Sequence, residues 1–177
     1  MRIFLAAVMV FIHSFCLAQH VSLNELIAMR NGGIESINQI LLPKAWVFIG
    51  THNPYADSIG HCMKEPTRWT HGSSYDSDKA YAFVVFEKSY DCGNSIAYQT
   101  LDSDSYRRIS LEIKSFDMHL VDTFSGKAED DKPYVQSAFE GTKYRVLVVV
   151  YTNKSSTGLP MNSYGIYVRL KNYQAPK

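Results

Sequence analysis

Cys62 and Cys92 are the two cysteines left once an N-terminal leader is set aside, and in an oxidising compartment such a pair forms one disulfide. The competing chemistry is a reactive thiol, because His61 adjoins Cys62. His52, His61 and His71 share a stretch rich in loop residues with Asp57, and that set of donors could hold zinc. Their intervals of nine and ten residues are not the short fixed spacings of a metal site, and neither HExxH nor paired CxxC is present. No metal or other cofactor is expected.

Calcium fares no better. Asp102 and Asp104 open a D-x-D pattern, but Arg107 stands where the glycine belongs and Ile113 where the closing glutamate belongs. Asp76 and Asp78 precede Glu87 at the right distance, yet Tyr81 occupies the glycine position. GxSxG, P-loop and GxGxxG motifs are absent. Glu65, Asp91 and Glu140 could act as a dispersed acid pair, though nothing separates them from surface acids.

Tyrosine is the distinctive signal. All 12 tyrosines follow the leader, and several fall in turns or at outward strand positions, where the residue gives large contact area at small entropic cost. The 52–75 stretch adds further polar and aromatic groups. Tyr55, Arg68, Trp69, His71 and Tyr75 are therefore the candidate binding residues, on a loop that a Cys62–Cys92 bridge would stiffen. Asn153-Lys154-Ser155 matches a glycosylation sequon.

These side chains need a scaffold and a compartment. Arg2, an apolar run from Ile3 to Phe15 and small residues at Cys16 and Ala18 form a signal peptide, residues 1–18, with residues 19–177 as a single domain. The apolar run is shorter than the ~20 residues of a bilayer-spanning helix. Of 177 residues, 18 are Lys or Arg and 17 are Asp or Glu; losing Arg2 leaves 17 of each. Such neutrality argues against a nucleic-acid partner. A hydrophobic fraction of 46% excludes disorder.

Ser22 and Glu25 form a capping-box pattern ahead of Leu23, Leu26 and Ile27; Asn31-Gly32-Gly33 then interrupts, and Ile34, Ile37 and Leu41 continue to Pro43. This predicts an N-terminal helical hairpin. Ala45–Ile49 reads as a buried strand. Punctuation from Gly50 to Ser77 reads as a long loop, broken by one short strand over Thr67–His71 that sends Arg68 and Trp69 to opposite faces. Lys79–Lys88 is apolar on both faces and reads as a central strand, with Ser95–Leu101 as its antiparallel neighbour. An amphipathic helix over 104–116 follows, then strands at Met118–Phe124, Pro133–Glu140 (an edge strand), Tyr144–Tyr151 and Tyr164–Leu170, with a hairpin loop over Asn153–Met161.

Together these elements predict an α+β fold: a mostly antiparallel sheet with the helical hairpin and the amphipathic helix packed on one face. The layout resembles small exported proteins of Bacteroidota-type bacteria. The hairpin, the strand opening Lys44-Ala45-Trp46-Val47-Phe48 and the Ala97-Tyr98-Gln99-Thr100 strand before the amphipathic helix carry the likeness. It implies a bacterial periplasmic home and no activity.

The expectation is an exported non-catalytic binding protein, periplasmic or secreted, whose partner is another protein or an envelope component. An immunity or inhibitor-type module is its most concrete form. The alternatives are a small secreted hydrolase using dispersed acids or the histidines of the 52–71 stretch, and a carrier holding a small molecule between helix and sheet.

Overall fold

A computed structural model of the chain describes residues 20–56, 62–72, 80–128, 130–154 and 160–171. Residues 1–18, expected to be a signal peptide, and Asp57, His61 and Tyr75 lie outside the described residues.

Helix α1, Leu23–Leu41, starts on the capping box foreseen: the Ser22 hydroxyl accepts from the Glu25 N–H at 3.1 Å, and the Glu25 carboxylate accepts from the Ser22 N–H at 2.9 Å. Gly33 breaks it, at φ 68° and ψ −160°, a conformation essentially reserved for glycine. The Ser36 hydroxyl consequently donates to the carbonyl of Ala28 at 3.4 Å. In a straight helix, eight residues would separate the two by about 12 Å. A 3-10 turn, Leu42–Lys44, leads into the sheet.

Among the described residues nine strands follow: β1 Val47–Thr51, β2 Tyr55–Ala56, β3 Met63–His71, β4 Ala82–Ser89, β5 Ser95–Thr100, β6 His119–Lys127, β7 Pro133–Glu140, β8 Tyr144–Lys154 and β9 Pro160–Leu170. Helix α2, Ser103–Ser115, lies between β5 and β6. All pairings are antiparallel, in the order β1-β3-β4-β5-β9-β8-β7-β6, with β2 also on β3. The fold is α+β with a mostly antiparallel sheet, as the residue pattern implies.

The helices meet over β5 and β9. Their apolar residues Leu26, Met29, Ile37, Ile109 and Ile113 bury against Trp69, Val84, Phe86, Ile96, Tyr98, Ile166 and Val168. One carboxylate fastens them together: Glu112 of α2 accepts from the Leu23 N–H at 2.6 Å, satisfying an orphan donor of α1.

Two expectations need correction. The 50–77 loop contains a nine-residue strand, β3, with β2 on it. Pro66 is tolerated there because β1 pairs as far as Thr67 and β2 begins at Lys64, so the residue with no N–H falls between two partners. Pro133–Glu140 is not an edge, since β7 lies between β8 and β6. Strands β8 and β9 are also longer than foreseen, pairing out to Lys154 and Pro160.

Cys62 and Cys92 are bridged, with Cα atoms 5.9 Å apart across 30 residues. The bridge sits where β3 and β4 begin to pair at Lys64 and Ser89. The turn after β4 is ordered for it: Cys92 N–H donates to the Ser89 hydroxyl at 3.2 Å, and buried Arg30 donates through Nε to the Asn94 carbonyl at 3.0 Å. Among the described residues no helix is long and apolar enough to cross a membrane.

Candidate functional site

Strand alternation decides the fate of the candidate binding residues. On β3, Trp69 pairs with Val84 and joins the helix-covered core, fully buried, with its indole N–H donating to Asn38 Oδ1 at 2.9 Å. It cannot touch a partner, which corrects its assignment as a contact residue. Arg68 pairs with Val85 and lies half-buried on the opposite face. Tyr55 shares that face: its hydroxyl donates to Glu87 Oε1 at 2.6 Å, and its ring stays 43% exposed. His71 is on the Trp69 side, its ring 5.4 Å from that of Trp46, and burial lowers its pKa. The sheet thus divides a set that one loop would have held together.

The histidines and acids do not converge either. His52 bonds by its N–H to the Pro66 carbonyl, and His71 is five strand residues further on, about 16 Å away. Among the described residues no group of three His, Cys, Asp or Glu could hold a metal ion. Glu140 is engaged by Arg145 and Lys171 on β7, with four strands between it and Glu65 on β3.

A hydroxyl, an imidazole and a carboxylate do meet at the start of α2. A cavity of about 300 Å³ is lined by His20, His71, Tyr98, Asp102 and Ser105. Its wiring is that of a helix cap. Asp102 accepts from the N–H groups of Asp104 and Ser105 and from the Ser105 hydroxyl at 2.6 Å. Burial works to raise the Asp102 pKa, but these hydrogen bonds and His20 outweigh it and hold the carboxyl below its usual range. With the Ser105 proton given to Asp102, the oxygen can only accept from His20 Nδ1. A general base needs a lone pair at that nitrogen, so the trio is not set for nucleophilic catalysis.

The larger concavity, about 420 Å³, opens at one end of the sheet. Phe83 of β4, Gln99 of β5, Tyr151 and Asn153 of β8 and Ser163 of β9 line it from the face that carries no helix. Ala128, Asp130 and Lys132, from the turn joining β6 to β7, close the other side. Because this turn and β4 belong to opposite halves of the sheet, the sheet must coil to bring them together. Coiling also accounts for buried Ala97, Ala138 and Val149 on a face with no helix above it.

Among the described residues the cleft lining is aromatic, polar and electrically balanced. Tyr81 adds a ring, while Tyr164 borders the cleft from the helix side, stacked on Tyr106 of α2 at 4.4 Å between centroids. Burial first, then Tyr167, Tyr134 and Asp130, push the Tyr151 hydroxyl far above its ordinary pKa, so it stays neutral. Asn153 Nδ2 donates to the Ser163 hydroxyl at 2.9 Å, and Gln99 Nε2 to the Tyr167 hydroxyl at 3.4 Å. Asp130 and Lys132 pair with each other. The outward Tyr167 of β9 was a visible signal for this face; Tyr151 and the approach of the β6–β7 turn were not.

No protein-family model, curated protein or solved structure matches this chain. Its chemistry must be argued from its own geometry.

Proposed function

We propose that this chain is an exported, non-catalytic binding module that uses the tyrosine-lined cleft on the open sheet face. One observation carries the reading: aromatic rings and neutral hydrogen-bonding groups from four strands converge on a single concavity, as small recognition sites require. The disulfide and the leader pattern support an oxidising home, periplasmic or extracellular, in keeping with the resemblance to exported Bacteroidota-type proteins. The break at Gly33 supports treating α1 as a helical hairpin. Tyr55 and Arg68 extend the same face and are secondary contact candidates. The partner is another protein or an envelope component, and an inhibitor or immunity-type role is the protein-binding form of the reading.

The test is retention. The mature chain is immobilised, an envelope fraction of its source is passed over it, and retained material is quantified per chain. A component held at about one per chain and reduced about tenfold by Asn153→Ala or Gln99→Ala supports the module. Retention unchanged by both substitutions, or no retention, overturns it.

A further inference from the structure

We infer that the cleft holds a neutral saccharide unit of an envelope glycan. The inference rests on the reading of this cleft as the recognition surface and names its ligand class. Three properties of the lining select that class.

The first is charge. Asp130 and Lys132 neutralise one another, and Tyr151 keeps its proton. A phosphate or carboxylate ligand calls for uncommitted Arg or Lys at short range, and among the described residues the cleft lining offers only Lys132, already paired. The second is polarity. Gln99, Asn153, Ser163 and Tyr151 keep hydrogen-bonding capacity beyond their mutual bonds, and beneath a purely apolar ligand that capacity would lose its water unpaired. A ligand must therefore return hydrogen bonds. Each amide contributes donors and an acceptor, which suits hydroxyls that donate and accept at once.

The third is shape. Rings of Phe83 and Tyr151 give flat apolar surface beside those polar groups. A pyranose has the matching anatomy, with a C–H face for a ring and a rim of hydroxyls for the amides. The volume of about 420 Å³ lies in the ordinary range of small-ligand sites. The concavity is an open cleft at the sheet's end, so a bound unit can continue into a longer polymer.

The probes are neutral tetrasaccharides of β-1,4-glucose and β-1,4-N-acetylglucosamine, with a tetramer of galacturonic acid as the charged counterpart. Binding to the mature chain is read by titration calorimetry and saturation-transfer NMR. At least one neutral probe should bind one per chain with Kd below about 1 mM. Gln99→Ala, Asn153→Ala and Tyr151→Phe should each weaken it about tenfold with thermal unfolding unchanged, whereas Leu111→Ala on α2 should leave it intact. Failure of both neutral probes at about 10 mM, preference for the charged tetramer, or indifference to the three substitutions overturns the inference. If the neutral probes fail but a purified envelope protein is held and released by the same substitutions, the saccharide class falls and the binding module stands. If neither is held, both fall.

Discussion

Trp69 surrenders its whole surface to the core while Arg68, one residue earlier, keeps part of its own on the other side of the sheet. Substitution should separate them. Trp69→Ala leaves a large void beside Asn38 and should cost about 3–5 kcal/mol, measured as a shift in the urea midpoint. Arg68→Ala should stay within about 1 kcal/mol. Glu87 offers a second prediction at this scale. Burial alone would raise its pKa, but hydrogen bonds from Ser95, Tyr55 and Lys64, with the Lys64 charge, bring it below the ordinary glutamate value. A carboxyl depressed on folding contributes stability that is full above its unfolded pKa and fades as pH falls through the folded one. Chemical unfolding from pH 7 down to 3 should therefore show an acid limb, and Glu87→Gln should flatten it; an unchanged limb would assign the acid sensitivity elsewhere.

Elements were legible where local chemistry wrote them. The Ser22–Glu25 box and the amphipathic α2 stand where residue spacing put them. β4 and β5 follow their apolar runs, and even the Arg68–Trp69 division was readable from alternation. What stayed hidden was non-local. Pro66 looks like a strand breaker until β1 and β2 are seen to leave a gap opposite it. The polar sequence of β7 suggests an edge until β6 is seen to cover it. The cleft was hidden for the same reason, since sheet coiling, not sequence proximity, brings Lys132 near Gln99. Two substitutions weigh these elements. Gly33→Ala forces a Cβ onto a backbone at φ 68°, ψ −160° and should cost about 1–3 kcal/mol by thermal unfolding. Asp102→Ala strips the α2 cap and should cost about 1 kcal/mol, with loss of amide exchange protection confined to the first turn of α2.

The whole molecule is two antiparallel halves joined by one seam: β1 to β5 on one side, β6 to β9 on the other, with β5 paired to β9. The 62–92 bridge belongs to the first half and restrains its unfolded chain. Reduction, or Cys62→Ser with Cys92→Ser, should lower stability by about 3–4 kcal/mol, and thiol titration of the native protein without reductant should find neither cysteine. The seam has a consequence for biosynthesis. Ile96 finds Val168, and Tyr98 finds Ile166, only after some seventy further residues have been made. Until β9 emerges from the ribosome, β5 has an open flank and the roof of α1 and α2 lacks half of its floor. Contacts of such sequence separation make folding slow, because the loop must close before the pairing rewards it. A nascent chain therefore cannot complete its native sheet until β9 has been made, and the two helices wait on that strand for the second half of the surface they cover.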